Sequence, residues 1–231
     1  VGAPRDGGDG GGREMTRRDY AVLAKRYIFL CFGLALMALG IGFSVKAKLG
    51  TSPISSLPYV VSLFSPFTIG QATIAMHCVF IAMQIALLRR RFDPVQLAQL
   101  PIGIMFGYMI DAGLWALGWV DCSAYWQLWL LVIAGIVLVG TGVACAVASG
   151  AVPLAGEGVV VAVCRVLHVS FPRTKIIFDA SLVASALLLS FAVAGKIEGV
   201  REGTLAAALC VGLTVKAANK FVVPMAKRFI A

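Results

Sequence analysis

Charge is scarce in this chain: of 231 residues only 13% are Asp, Glu, Lys or Arg while 60% are hydrophobic, and the mean hydropathy is +0.91. Such values exclude an ordinary soluble globular domain, in which about a quarter of residues are charged. Histidine is rarer still. The two present, His77 and His168, are far apart with no local motif to supply further ligands, so no metal site is expected. Cys31, Cys78, Cys122, Cys145, Cys164 and Cys210 contain no C-x-x-C pair, which excludes a local zinc or redox motif. All but Cys122 read as small core residues. Walker, G-x-S-x-G and H-E-x-x-H motifs are all missing. Neither enzymatic activity nor a cofactor is therefore expected.

Long apolar runs are what the chain does have. A helix that crosses a bilayer needs roughly 20 mostly apolar residues. Six segments qualify: Tyr27–Val45, Gly70–Leu88, Leu97–Leu117, Trp126–Ala148, Lys175–Ala194 and Thr204–Phe221. Two further stretches, Ser52–Leu63 and Glu157–Val169, are helical in character but too short to cross. The glycine-rich start, Val1–Gly12, has no apolar period, so residues 1–24 read as a disordered tail or an appended remnant, with Met15 a candidate natural start. The first apolar segment is long enough to span and lacks a cleavage pattern behind it, so no signal peptide is expected.

The net charge of +9 does not point to nucleic acid, because the basic residues sit at helix ends rather than on one face among aromatics. They report orientation instead. With the amino end in the cytoplasm, Arg17, Arg18, Lys25, Arg26, Arg89, Arg90, Arg91, Arg173, Lys175, Lys220, Lys227 and Arg228 all fall inside. Asp121 and the mixed Lys196–Glu202 set fall outside; Lys46 and Lys48 are exceptions. Trp115, Trp119, Tyr125, Trp126 and Trp129 read as an aromatic belt at the outer interface.

The chain is organised around a break in apolar sequence, Leu49-Gly50-Thr51-Ser52-Pro53-Ile54, that returns altered as Gly150-Ala151-Val152-Pro153-Leu154-Ala155, the prolines being 100 residues apart. Each break follows one long apolar segment and precedes a short helix and two more long ones. Phe67 answers to Phe171, and Gly107–Asp111 to Gly212–Lys216. The expectation is an all-α polytopic membrane protein of two repeats, 25–122 and 123–222, each with three transmembrane helices and one short broken or re-entrant helix, followed by a cytoplasmic tail, 223–231. Three spans per repeat is an odd number, so the repeats are expected to be inverted. If the short stretches were full spans there would be eight, the repeats would be parallel and Arg89–Arg91 would lie outside.

Three motifs carry a resemblance: Leu49–Ile54, Ala155-Gly156-Glu157-Gly158 and Glu198-Gly199-Val200-Arg201-Glu202-Gly203-Thr204. Together they resemble the YczE/YyaS/YitT family of bacterial integral membrane proteins over roughly Arg26–Phe221. The resemblance implies a multi-pass protein of the bacterial inner membrane with internal repeats, largely uncharacterised and often suspected of transport. It carries over no catalytic residues. One departure is Val152-Pro153 in the second break where the first has Ser52-Pro53.

The breaks are also where a solute site is expected. Proline removes an amide donor and disfavours helix in the residue before it, and an unpaired backbone group in hydrocarbon costs several kcal/mol. Such backbone survives at membrane depth where it is buried in protein or lines a watery cavity. Thr51, Ser52 and Pro53 in the first break, and Pro153, Gly156 and Glu157 in the second, are therefore site candidates. Interfacial helices lying in the headgroup region would explain the same pattern.

Asp111 joins them because it lies fourteen residues into its helix, roughly 21 Å along the axis; an Asp near the outer headgroups is the alternative. Lys216, its repeat mate, either takes part or snorkels to the interface. Asp179 follows Lys175 by four residues, as a local ion pair or a proton relay. Glu157 is favoured by the helix dipole and either caps its helix or meets a cation or proton. Arg201 and Glu202, between Gly199 and Gly203, form either a loop ion pair or an outer gate.

These readings lead to a secondary transporter of a small polar metabolite or ion, with a midplane site at the two breaks, proton coupling through Glu157 or Asp111, and a homodimer as one arrangement of its small-residue seams. A passive channel and a non-transporting scaffold are the alternatives.

Overall fold

The structure, a computed structural model, describes residues 17–230; the expectations for residues 1–16 lie outside them. Eight α-helices follow one another: α1 (Arg17–Ala47), α2 (Pro53–Phe64), α3 (Ile69–Leu88), α4 (Gln99–Ala116), α5 (Tyr125–Ala148), α6 (Ala155–Leu167), α7 (Phe171–Ala194) and α8 (Glu202–Ile230). Six of them, all but α2 and α6, are long and apolar enough to cross a membrane. Two 3-10 turns, Arg89–Arg91 and Pro94–Ala98, join α3 to α4.

Local chemistry sets the boundaries. Lys48 and Gly50 take left-handed φ values of 54° and 98° and end α1, and Gly150 at 63° does the same after α5. Thr68 opens α3 with a capping box: it accepts from the Gln71 amide at 3.1 Å, and Gln71 Oε1 accepts from the Thr68 amide at 3.1 Å. Helix extends beyond the apolar segments at both ends of the chain. α1 begins at Arg17, within the stretch expected to be a tail, and α8 continues through Ile230 rather than stopping near Phe221. Arg, Lys, Ala and Met in these extensions are strong helix formers, so polarity ends the apolar run without ending the helix.

Helices α1 and α5 are the antiparallel centre. Gly33 lies against Gly142, and Gly40 against Gly135 and Val139; a Cβ on Gly40 would stand 2.8 Å from the Gly135 carbonyl oxygen. Glycine is needed there because backbone meets backbone. Gly42 faces α4, Gly107 faces α3 and Gly140 faces Thr214 of α8, so these small-residue seams are spent inside the monomer. α4 packs on α1 and α8 on α5; α2 packs on α3 and α7, and α6 on α3 and α7. α3 packs closely along α4, whereas α7 and α8 have no such contact.

Among the cysteines only Cys145 is buried; Cys78 and Cys210 are exposed, so the expectation of core residues fails for them. An apolar exterior facing lipid accepts a thiol as readily as a core does. Trp115, Trp119, Tyr125 and Trp126 are exposed around the α4–α5 connection.

Candidate functional site: two helix starts that meet

The two short helices begin alike. Ser52 precedes α2 at φ −60°, ψ 153°, Leu154 precedes α6 at φ −62°, ψ 153°, and neither side chain caps its helix. The Ser52 hydroxyl instead pairs with that of Ser55 at 3.2 Å, and the Ser56 hydroxyl donates to the Pro53 carbonyl at 2.7 Å. Pro53 occupies the first helical position, where its missing amide costs least. Thr51 is fully buried and Ser52 nearly so.

The starts then converge. A Cβ on Gly156, in the first turn of α6, would stand 2.6 Å from Cδ1 of Ile54 in the first turn of α2 and 3.6 Å from the ring of Phe80. Phe80 lies eleven residues into α3, roughly 16 Å along its axis and near the middle of that helix. Ile54, Ala155, Val159, Phe80 and Leu182 share one apolar cluster. The meeting of α2 and α6 is thus clamped between α3 and α7, with Phe80 and Phe178 5.3 Å apart behind it.

The first break is held by the start of α8. The Gly203 amide donates to the Leu49 carbonyl at 2.8 Å, and Arg201 reaches the Lys48 carbonyl at 3.5 Å. Arg201 and Glu202 pair at 3.2 Å, and the Tyr125 hydroxyl reaches Glu202 at 3.4 Å. The residues expected as a gate therefore lie at the Lys48–Gly50 end of the first break, just before Thr51, Ser52 and Pro53. The buried Thr204 hydroxyl, which has no partner among the described residues, borders Gly50. The loop before α8 is tied down by Ser190, which donates to the Lys196 carbonyl at 2.9 Å and accepts from the Glu198 amide at 2.7 Å. In that loop the hydrogen bond from Lys196 to Glu198 holds the ammonium above the usual lysine range.

At the second break a cavity of about 170 Å³ opens between Leu30 and Met37 of α1, Val143 and Val147 of α5, and Pro153, Leu154 and Glu157. Glu157 is its one charged lining residue. No hydrogen bond or ion pair involves this carboxylate among the described residues. Lys175 and Asp179 are the charges acting on it, and they are joined to each other at 2.6 Å, the expected i,i+4 pair. Arg26 borders Gly150, 4.0 Å from where a Cβ would stand.

Two residues absent from the sequence-based candidates complete the surroundings. Gln84 and Gln99 are fully buried; Gln84 Nε2 donates to Gln99 Oε1 at 2.8 Å and to the Ala155 carbonyl at 3.1 Å. Among the described residues Gln84 Oε1 and Gln99 Nε2 have no partner, and both occupy the space a Cβ on Gly158 would need. Amides inside apolar helices were the available signal.

Asp111 and Lys216 are not brought to this region. Asp111 accepts from the Thr68 hydroxyl at 2.6 Å and from the Gly70 amide at 2.8 Å, and so caps α3 from α4. Lys216 is exposed on α8. No grouping of three or more potential metal ligands occurs among the described residues.

No curated protein and no solved structure matches the chain. Residues 24–220 match a family of unknown function (DUF6198), to which this multi-pass, all-helical chain therefore belongs.

Proposed function

We propose that the protein is a secondary transporter of a small polar solute, built from two inverted repeats with its site where α2 and α6 meet. One observation carries this reading: Glu157, a carboxylate with no hydrogen-bond or ion-pair partner among the described residues, faces an apolar cavity at the uncapped start of α6, the helix start that meets α2 through Gly156 and Ile54. A buried charge is expensive unless paired, so Glu157 is suited to take up a proton or a cationic group and release it.

Packing supports the repeats. Exchanging α1 with α5, α2 with α6, α3 with α7 and α4 with α8 carries the α1–α4 contact onto α5–α8, α2–α7 onto α3–α6, and α2–α3 onto α6–α7. The mates α1 and α5 are antiparallel, as inversion requires. The largest departure is that α3 packs on α4 while α7 stands apart from α8. Inverted repeats that alternate access adopt unlike conformations in any one state, so the closed pair and the open pair would trade places during the cycle. The basic helix ends support cytoplasmic termini, and the likeness to the YczE/YyaS/YitT motifs fits the bacterial inner membrane.

A solute screen in proteoliposomes, with and without a pH gradient, tests the proposal. Uptake should saturate, respond to the gradient and fall at least tenfold in Glu157→Gln. Flux that does not saturate would favour a channel, and no flux of any solute would favour a scaffold.

A further inference from the structure

We infer that the solute is a small organic cation: an ammonium group carried on an apolar body of about six heavy atoms, seated in the cavity beside Glu157. The inference rests on the transporter reading for its purpose but on separate observations for its chemistry. The walls are aliphatic, from Leu30, Met37, Val143 and Val147, and Glu157 supplies the one formal charge among them. Its charged neighbours on α7, Lys175 and Asp179, neutralise each other at 2.6 Å. The three groups together carry one negative charge, and a cation completes them. Arg26, beside Gly150, is not among the residues that line the cavity.

Size narrows the class. A cavity of about 170 Å³ is close to the ~150 Å³ apolar cavity that accepts benzene. Bare metal ions fit poorly, since they need several oxygen ligands and the walls offer one carboxylate. On the other side of the same helical turn, Gln84 and Gln99, at 0% and 1% exposure, hold an acceptor and a donor without partners against Gly158. The first turn of α6 is thus flanked by unpaired polar groups on both sides, more than packing alone requires.

The test uses the purified full chain in nanodiscs and three probes of one shape: isopentylamine, isopentanol and isovalerate, followed by calorimetry and thermal unfolding. Isopentylamine should bind and raise the unfolding midpoint, while the alcohol and the carboxylate bind at least tenfold more weakly. Glu157→Gln should cost at least tenfold in amine affinity. Val143→Phe, which fills the cavity and leaves the carboxylate, should lose the amine as well, and decides the matter if Glu157→Gln does not fold. Equal binding of alcohol or carboxylate, amine binding that survives both variants, or no binding of any probe would overturn the inference. Amine binding without flux in liposomes would instead count against transport alone, and saturable flux of a non-cation would count against the cation alone.

Discussion

Asp111 shows how a residue's partners change its meaning. A carboxylate two-thirds of the way along an apolar helix reads as a pathway group, yet both oxygens are engaged by the first turn of α3. Those donors come from Thr68 and Gly70, 43 and 41 residues away, so the helix that carries Asp111 gives no sign of them. As a cross-helix cap, it should lose about 1–2 kcal/mol of stability in Asp111→Asn, since an amide can satisfy one donor and opposes the other. Thermal unfolding of the variant measures this, and an unfolding midpoint equal to the parent's would contradict the cap. Gly40 makes the opposite case. A glycine inside an apolar run is visible in the sequence itself, and Gly40→Leu, which drives a side chain into the Gly135 and Val139 backbone, should destabilise by roughly 1–3 kcal/mol or more. Loss of monodisperse protein on size exclusion is the readout.

The two short helices show what an element reveals of itself. Their length and prolines were visible in the sequence, and the observed α2 and α6 lie within two residues or so of the expected stretches. Their meeting was not visible, because it depends on Ile54 facing Gly156 across 102 positions of chain. Charge could not reveal Gln84 and Gln99 either, since both are neutral. For Pro53→Ala a modest effect on folding is expected, because proline at the first helical position gives up an amide that would be unpaired anyway. Ser52→Ala likewise removes no cap. If these residues shape a site, uptake in both variants should fall by a larger factor than the yield of folded protein; parallel losses would assign them a structural role.

At the scale of the whole molecule, the six spans followed from hydropathy, but the outer ends of α1 and α8 and the order in which helices pack did not. Interior apolar faces and lipid-facing ones look alike in composition, so nothing in α7 and α8 announced that they stand apart while α3 and α4 do not. Orientation is open to direct measurement: reporters after Leu88 and after Ala231 should be cytoplasmic and one at Asp121 external, and an external Arg90 would contradict inversion. Spin labels at Val79 and Tyr108, and at Leu188 and Leu209, exposed sites on the two helix pairs, should report opposite changes when solute is added. The first distance should grow as the second shrinks; two distances that move together or stay fixed would rule out the exchange of closed and open pairs.

The central claim is a saturable carrier whose coupling group is Glu157, and trans-stimulated exchange tests it most directly. Proteoliposomes loaded with unlabelled isopentylamine and diluted into a trace of labelled amine should show a transient overshoot of label that saturates with internal amine. Glu157→Gln of equal reconstituted amount should show none. An overshoot of the same height in the variant, or equilibration without overshoot in the parent, would contradict the account.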